Sequence, residues 1–313
     1  MPQNTEANHS KRRALLLDGH AFIYQAFYAT HHDPFRDRSG RNVSVPRGIL
    51  RFLLKTLDEH EFSHIGFAME GGYSGREKIH PEYKSSRDEK PEDLAQQIPM
   101  VEALMESIGI RVLQVDGYEA DDVIATVTEN LRGIGLDVVI GTFDKDFLQL
   151  VRPGVEVWMP QRGRIEERWI TETNMTDHFP VPAHQVVDYL ALAGDSSDDI
   201  PGCPGIGKKT APKLLAEFGT LEELLAARDT VENTRARNAL AAGVDSTLMS
   251  QRLVRMIRDV PIGFDVQALQ SKPIDPGMTY RLLRGLALGK FQDAAQDVGT
   301  VRTPDPAKQL ELF

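Results

Sequence analysis

The sequence contains a single cysteine, Cys203, among 313 residues. An internal disulfide is therefore excluded, and a metal site built on cysteine is not expected. Apolar runs long enough to cross a membrane are also missing, so we expect a soluble chain with no membrane partner. Residues 1–12 are polar and lack the apolar core of a secretion signal, which predicts a disordered tail and a cytoplasmic protein.

An excess of positive charge is missing as well. The chain has 36 Lys and Arg residues against 46 Asp and Glu residues, a formal net charge of −10. Such a balance argues against nucleic acid as a partner if the acids are spread evenly over the surface. That argument fails if many of the acids lie in one metal site, because the remaining surface is then close to neutral.

Two regions differ in their hydrophobic patterns. Up to residue 180, short apolar runs alternate with segments whose apolar residues lie three and four apart, which predicts an α/β domain over 13–180 with a mostly parallel sheet flanked by helices. The predicted strands are RALLLD, HIGFAM, IRVLQV and LDVVIGT, and the predicted helices cover 48–60, 93–109 and 121–135. A hairpin is expected around Gln161–Gly163, followed by a helical domain over 181–292 and a flexible tail over 293–313.

Acidic residues follow each of the four predicted strands. One acid after a strand is usually a helix cap or turn residue, but ligands collect at the carboxyl ends of parallel strands, and four such coincidences point to one site. Crowded carboxylates repel one another unless a cation neutralises them. Oxygen ligands with no nearby His or Cys favour Mg²⁺ or Mn²⁺ over Zn²⁺. The acids after the strands are Asp18, Glu70, Glu119, Asp121, Asp122, Asp144 and Asp146.

The stretch GDSSDDIPGCPGIGKKTAPKLL combines further acids with glycines and lysines. Asp195 and Asp198 are expected to complete a second metal site with Asp144 and Asp146. The segment 198–217 resembles a helix–hairpin–helix, whose outward N–H groups and following helix suit one backbone phosphate, and Ile206 is expected to enter the core. An ordinary helix–turn–helix linker with solvated lysines is the alternative. The predicted DNA-binding residues here are Gly202, Gly205, Ile206, Gly207, Lys208, Lys209, Thr210 and Lys213.

These motifs together resemble the 5′-nuclease family. LLDGHAFIYQAFYA, YKSSR, GYEADDVIATV, TFDKDFLQL and the GDSSDDIPG stretch run in the family's order from Leu15 to about Leu225. The strongest likeness is to the 5′→3′ exonuclease domain at the start of bacterial DNA polymerase I, with flap endonucleases as more distant relatives. The resemblance implies a PIN-like fold, a stand-alone exonuclease without polymerase domains, and a monomer in the bacterial cytoplasm, associated with the nucleoid.

The resemblance also implies two metal clusters and at least two Mg²⁺ ions, with Mn²⁺ as a substitute. The family has one more Asp directly after the Phe of the second strand, where this chain has Ala68, and Glu70 is the nearest carboxylate that could replace it. A K⁺ site at the helix–hairpin–helix, involving Ser196 or Ser197, is implied too. The first cluster matches Asp18, Glu119, Asp121 and Asp122, and the second matches Asp144, Asp146, Asp195 and Asp198.

Residues 72–93 resemble the start of the family's helical arch, through which single-stranded 5′ ends pass. Arg76, Lys84 and Arg87 match basic positions that contact the scissile phosphate, and Tyr83 is expected to stack on a base. Outside this context, a solvated charged helix face would be the ordinary interpretation of the segment.

The reaction implied is metal-dependent hydrolysis of DNA at 5′ ends and 5′ flaps, and of RNA primers on DNA, to 5′-phosphate products in replication and repair. The preference between exonuclease and flap endonuclease stays open. Two alternatives remain: a catalytically weakened relative that binds flaps and recruits the sliding clamp, and a DNA-binding module whose acids only cap helices.

The last five residues, QLELF, resemble the short peptide by which bacterial replication proteins bind the sliding clamp. A hydrophobic pocket of the clamp would accept such a peptide from an unfolded tail. Docking onto the chain's own domain is the alternative. The residues concerned are Gln309, Leu310, Leu312 and Phe313.

Overall fold

The computed structural model describes residues 13–263 and 265–288, and these group into two compact units. The first unit comprises 13–69, 90–113 and the described residues from 263 onward, and the second comprises 70–89 and 114–262. The tails predicted over 1–12 and 293–313, including the QLELF segment, lie outside the described residues. Each unit contributes three β-strands.

The strands of the first unit are parallel and lie in the order β3-β2-β1. They are β1 (Arg13–Asp18), β2 (His64–Ala68) and β3 (Arg111–Leu113). In β1 every residue after Arg13 is buried, as expected for a strand covered on both faces. The register places Asp18, the last residue of β1, opposite Ala68, the last residue of β2.

The helices of the first unit pack through apolar residues at helical spacing. In α2 (Ser44–Glu59) the buried side chains include Ile49, Leu50 and Leu53. The helix predicted over 93–109 is two helices, α3 (Glu92–Ala95) and α4 (Ile98–Ser107), because Pro99 lies in the first turn of α4 and disfavours helical backbone before it. The helices are α1 (Gly19–Ala29), α2 (Ser44–Glu59), α3 (Glu92–Ala95), α4 (Ile98–Ser107) and α12 (Pro276–Leu288).

Gly19 allows α1 to begin directly beneath β2. A Cβ atom at this position would lie 2.4 Å from the carbonyl oxygen of Ala68 and 2.4 Å from the ring of Phe67. Since both neighbours belong to the buried β2, neither can move away cheaply. Asp18 precedes this glycine, and its Oδ1 accepts a hydrogen bond from the Ala21 amide at 3.2 Å, so the carboxylate caps α1.

The strands of the second unit are β4 (Asp137–Gly141), β5 (Val155–Met159) and β6 (Arg168–Ile170). β4 and β5 are parallel, whereas β5 and β6 are antiparallel, which confirms the predicted hairpin with a longer connection over 160–167. The prediction of a mostly parallel sheet flanked by helices is confirmed.

Helices make up the rest of the second unit. After β6 the described part of the chain contains no further strand, as the sequence predicts. None of the described helices is both long and apolar enough to span a membrane. The helices are α5 (Ala120–Gly133), α6 (Met175–His178), α7 (Val186–Ala193), α8 (Ala211–Phe218), α9 (Leu221–Ala226), α10 (Thr234–Ala242) and α11 (Val244–Val254).

The segment predicted as a helical arch differs from the expectation. Between residues 72 and 89 the structure has one turn of 3-10 helix, Arg76–Lys78, followed by consecutive turns. Gly72 and Gly75 adopt φ values of +89° and +81°, and Pro81 lacks the amide that a helix would use. This composition interrupts helical hydrogen bonding, so the basic residues here are presented by turns.

Candidate active site

Carboxylates and basic side chains from separate segments meet within the second unit. Lys84 Nζ lies 2.6 Å from Glu119 Oε2 and 3.9 Å from Asp198 Oδ2. Lys145 Nζ lies 2.5 Å from Asp195 Oδ2 and 3.3 Å from Asp146 Oδ1. These contacts, together with the electrostatic coupling of Asp144 to Asp146 and Asp198, define one group. We call the following residues the acidic cluster: Glu119, Asp144, Asp146, Asp195 and Asp198.

The turn after β4 orients Asp144 and Asp146. Thr142 Oγ1 accepts a hydrogen bond from the Asp144 amide at 3.0 Å, and Asp144 Oδ1 accepts one from the Asp146 amide at 2.9 Å. Asp144 therefore caps the 3-10 helix Lys145–Leu150, so part of the helix-capping alternative is realised here. The turn directs both carboxylates towards the acidic cluster although only one residue separates them in sequence.

Asp195 is held by a compact turn and by Lys145. Its Oδ1 accepts hydrogen bonds from the Ser197 amide at 3.0 Å and the Ser197 hydroxyl at 2.6 Å. Burial alone would raise the pKa of Asp195, but the hydrogen bonds from Lys145 and Ser197 lower it below the usual value. Lys145 is a residue that sequence reasoning missed, although its place between Asp144 and Asp146 in the DKD triplet was a usable signal.

Lys84 and Glu119 form a largely buried ion pair. Burial would lower the pKa of Lys84, but Glu119, Tyr83, Asp121 and Asp198 raise it. Glu119 shows the complementary behaviour, because Lys84 and Arg76 lower a pKa that burial would raise. Both side chains are therefore charged at neutral pH.

Tyr83 lies inside the unit rather than at its surface. The residue is 5% exposed, and its hydroxyl donates to Glu119 Oε2 at 3.3 Å. Burial and the Glu119 carboxylate raise the pKa of the phenol. The predicted stacking of this ring on a base differs from the position in the structure, where the ring has little open face.

Arg76 and Asp122 also differ from their predicted roles. Arg76 is 6% exposed, and its two terminal nitrogens each donate to Asp122 at 2.8 Å. Asp122 has no exposed surface, and its Oδ1 also accepts from the Ile257 amide at 2.8 Å. Arg76 further donates to the carbonyl oxygens of Leu253 and Arg255. Both carboxylate oxygens of Asp122 are thus occupied by internal donors, and the Arg76 guanidinium is turned towards protein groups.

We expect Arg76→Ala to destabilise the protein by about 3–5 kcal/mol, since it leaves the buried Asp122 carboxylate without its cation. Arg76→Lys should restore only part of this loss, because an ammonium group cannot form the bidentate contact. Urea unfolding measures both changes. Arg164→Ala, at an exposed position between β5 and β6, is the matched control and should change stability by less than about 0.5 kcal/mol. Equal effects of Arg76→Ala and Arg164→Ala would contradict this assignment.

The remaining predicted residues lie at different places. Arg87 is half-exposed and donates to Asp198 Oδ1 at 2.6 Å. Glu70 Oε2 accepts from the Ala120 amide at 3.3 Å, which places Glu70 at the amino end of α5. Asp121 is half-buried beside it in the chain. Asp18 belongs to the first unit, where it is buried and caps α1.

Whether the acidic cluster fits a metal ion depends on how far the basic side chains neutralise its carboxylates. Among residues 13–263 and 265–288, no three His, Cys, Asp or Glu side chains form a ready-made metal site, because basic side chains bind several of the carboxylates. Asp146 Oδ1 is nevertheless buried and forms no hydrogen bond of good geometry, although Lys145 Nζ lies 3.3 Å away. Burial and the charge of Asp144 raise the pKa of Asp146 to about 7, and burial also raises the pKa of Asp144. Two adjacent carboxylates short of positive charge fit a divalent cation.

The helix–hairpin–helix segment also lies in the second unit. Ile206 is 3% exposed, which confirms that it enters the core, and α8 begins at Ala211 with Thr210 before it. Gly202 has φ of +68°, and a Cβ there would lie 2.4 Å from the Gly194 amide nitrogen, so only glycine fits. The lysines at 208, 209 and 213 are exposed, with no acidic partner in the described part of the chain.

Family models match nearly the whole described chain. Residues 13–179 match the model described as 5′-3′ exonuclease, N-terminal resolvase-like domain, and residues 181–277 match 5′-3′ exonuclease, C-terminal SAM fold. The fold is therefore that of the proteins which these exonuclease models describe. The chain belongs to the 5′-3′ exonuclease family, which confirms the resemblance read from the motifs.

Solved structures with the same fold include several nucleases. T5 5′-exonuclease with bound zinc is 18% identical, with 91% of this chain and 98% of that chain covered and a TM-score of 0.66. The catalytic core of Rad2 in complex with a DNA substrate is 18% identical, with 91% of each chain covered and a TM-score of 0.59. Flap endonuclease-1 from Methanococcus jannaschii is 16% identical, with 91% of each chain covered and a TM-score of 0.58.

Curated relatives include bacterial DNA polymerases I. The thermostable enzyme of Thermus filiformis is 36% identical over 264 residues, which are 84% of this chain and 31% of that protein. The enzyme of Mycobacterium tuberculosis is 33% identical over 293 residues, which are 93% of this chain and 32% of that protein. The chain spans about a third of the length of these relatives.

Proposed function

We propose that this protein is a metal-dependent 5′→3′ exonuclease and 5′-flap endonuclease that hydrolyses DNA, and RNA primers on DNA, to 5′-phosphate products in replication and repair. The observation that carries the proposal is the acidic cluster, in which burial raises the pKa of the adjacent Asp144 and Asp146 carboxyls and Asp146 Oδ1 forms no hydrogen bond. Lys84 and Arg87 lie beside it through Asp198, as a site for a phosphodiester requires.

We propose Mg²⁺ as the cation, in two or more sites, with Mn²⁺ as a substitute. Asp144, Asp146, Asp195 and Asp198 would hold one ion, and Glu119 with Asp121 would contribute to another, while Asp18 and Glu70 remain candidates. When bound, such ions lower the pKa of water and stabilise a leaving oxygen. Oxygen-only donors favour these hard cations.

The basic side chains would act on the substrate's phosphate. Lys84 retains 20% of its side-chain surface and Arg87 retains 51%, so both have room for a phosphate oxygen. A phosphate would then compete with Glu119 and Asp198 for these two cations. Lys84 and Arg87 would neutralise the negative charge that develops on the phosphoryl oxygens. Arg76, enclosed with Asp122, would support the site from behind rather than touch substrate.

Cleavage of a 5′-labelled flap duplex tests the function. We expect 5′-phosphate products in Mg²⁺ and none in EDTA. Firm flap binding without cleavage would instead support the alternative of a weakened flap-binding protein, which Ala68 at the family's Asp position keeps open. If the protein neither binds nor cleaves the flap duplex, the proposed nuclease activity and the flap-binding alternative are both overturned.

The helix–hairpin–helix would bind the duplex backbone, with K⁺ as a further proposed ion at this segment. The slope of log affinity against log salt is negative for a phosphate-binding protein. We expect the double variant Lys208→Ala/Lys209→Ala to reduce the magnitude of this slope by roughly one per lysine. Since both lysines are exposed, thermal stability should be unchanged. Fluorescence anisotropy on a nicked duplex at several salt concentrations measures the slope. Lys55→Ala, on the exposed face of α2, is the control and should have the wild-type slope. An equal slope in the double variant and in Lys55→Ala would contradict the assignment.

Partners and location remain sequence-based proposals. QLELF would bind the sliding clamp of replication, and deleting Gln309–Phe313 should abolish that binding in a surface plasmon resonance measurement. Unchanged affinity for the clamp would end this idea. A monomeric state and a cytoplasmic, nucleoid-associated location are part of the same proposal.

A further inference from the structure

We propose that Asp199 is a positioning residue, which holds Lys84 in its place against the acidic cluster. The inference rests on the proposed function of Lys84 at the phosphate. It concerns two segments of the second unit, the basic turn (residues 84–87) and the acidic loop (residues 195–200). Asp199 belongs to the acidic loop but makes none of the contacts that define the acidic cluster.

Two residues in these segments share an unusual backbone conformation. Lys84 has φ of +55° and Asp199 has φ of +54°, and among the described residues they are the two non-glycine positions with positive φ. This left-handed region is unfavourable for a residue with a side chain, especially for lysine. Such conformations persist only where surrounding contacts over-determine them. The contacts that hold Lys84 must therefore be sought nearby.

Those contacts come from the acidic loop. The Lys84 amide donates to the Asp198 carbonyl oxygen at 3.0 Å, and the Ser86 amide donates to Asp199 Oδ2 at 2.8 Å. The Arg87 guanidinium donates to Asp198 Oδ1 at 2.6 Å. Two successive loop residues thus bind three of the four residues of the basic turn. We call this set of three hydrogen bonds the clasp.

The acidic loop is itself closed and can serve as a support. The Asp195 amide donates to the Ile200 carbonyl oxygen at 2.9 Å, and the Ile200 amide donates back to the Asp195 carbonyl oxygen at 2.8 Å. Ile200 is buried, which anchors the end of the loop. A loop that is closed in this way, and that binds Lys84, Ser86 and Arg87, limits where the Lys84 side chain can lie.

The Asp199 carboxylate accepts a hydrogen bond that the sequence alone does not predict. Its adjacency to Asp198 in GDSSDDIPG suggested only another acid, whereas the structure shows Oδ2 bound to the Ser86 amide. Aspartate also tolerates left-handed backbone better than most residues. Asp199 therefore supplies both the acceptor and the conformation that the clasp needs.

Three substitutions separate these two properties. Asp199→Asn keeps an oxygen acceptor and the left-handed conformation, Asp199→Gly keeps the conformation without the acceptor, and Asp199→Ala loses both. We expect kcat on a 5′-flap duplex to fall ten- to a hundredfold in Asp199→Gly and at least as far in Asp199→Ala. KM for the DNA should stay within threefold, and Asp199→Asn should stay within twofold of the wild type in both constants.

Hydrogen exchange gives a second measurement that does not depend on cleavage. In the metal-free protein, the Ser86 and Lys84 amides should exchange at least tenfold faster in Asp199→Gly than in the wild type, with Asp199→Asn unchanged. If the wild type cleaves no DNA, the proposed function fails while this measurement still decides the clasp. Unchanged exchange and unchanged kcat in Asp199→Gly would overturn the inference, and so would an Asn variant as impaired as the Gly variant.

Discussion

Asp144→Ala is expected to lower the rate of flap cleavage in Mg²⁺ by at least about a hundredfold, with little change in affinity for the flap duplex. Asp144 lies at the amino end of the 3-10 helix Lys145–Leu150, and its carboxylate faces the acidic cluster. Its removal would take away a proposed oxygen ligand whose pKa is raised by burial. The helix–hairpin–helix segment, which we propose binds phosphates elsewhere in the unit, would be untouched.

The measurement is single-turnover cleavage of a 5′-labelled flap, combined with anisotropy for binding. Asp177→Ala is the matched control, since Asp177 is an exposed aspartate near the start of the short helix α6. We expect it to cleave at the wild-type rate. Cleavage by Asp144→Ala within a few-fold of the wild type would refute the assignment of the acidic cluster as the metal site. Loss of both cleavage and binding would instead indicate a folding defect, which circular dichroism would detect.

The second large effect is on stability, where the Asp146 carboxyl is expected to make the metal-free protein less stable as pH rises from about 4 to about 7. Asp146 has a pKa raised from 3.8 to about 7 by burial and by Asp144. Between these two values the folded state binds more protons than the unfolded state, so the free energy of unfolding falls as pH rises. With 1.36 kcal/mol per pKa unit, the upper limit of the loss is roughly 4 kcal/mol.

Asp146→Asn isolates this contribution, because other titrating groups are common to both proteins. In EDTA the variant should be more stable than the wild type at pH 8, and the difference should shrink towards zero at pH 4 to 5. Urea unfolding at both pH values measures the difference, with Asp177→Asn as the control. Mg²⁺ at pH 8 should stabilise the wild type more than Asp146→Asn. A difference in the free energy of unfolding between wild type and Asp146→Asn that does not vary with pH would show that the pKa of Asp146 is not raised in the folded protein.

The main elements of the fold follow from local sequence patterns. The buried strands β1, β2 and β4 are short apolar runs, and a run of this kind is stable only when covered on both faces. The break between α3 and α4 was equally readable from Pro99, although the spacing of apolar residues suggested one helix. The helical arch was implied by the family resemblance. The structure has turns over most of residues 72–89, where the local signals of Gly72, Gly75 and Pro81 favour turns.

The candidate acids were identifiable from sequence because each follows a predicted strand or lies in a recognisable motif. The basic side chains that neutralise these acids were not identifiable in the same way. We expected metal ions to make the crowding tolerable, yet the structure shows Arg76, Lys84, Arg87 and Lys145 bound to several of the same carboxylates. Burial raises the pKa of Asp144 and Asp146 in spite of these basic side chains, so we propose that this pair is the part of the cluster that binds the metal.

Hydrophobic spacing and turn chemistry act over a few residues, and they were enough to predict where strands alternate with helices, which acids lie at the turns after them, and that Ile206 is buried. Three contacts are visible only in the folded chain: Arg76 pairs with Asp122, Lys145 binds Asp195, and Asp199 accepts a hydrogen bond from the Ser86 amide. These partners lie 46, 50 and 113 residues apart in the chain. Whether two such groups pair depends on their distance in space and on the water excluded around them, and neither quantity is encoded in local spacing.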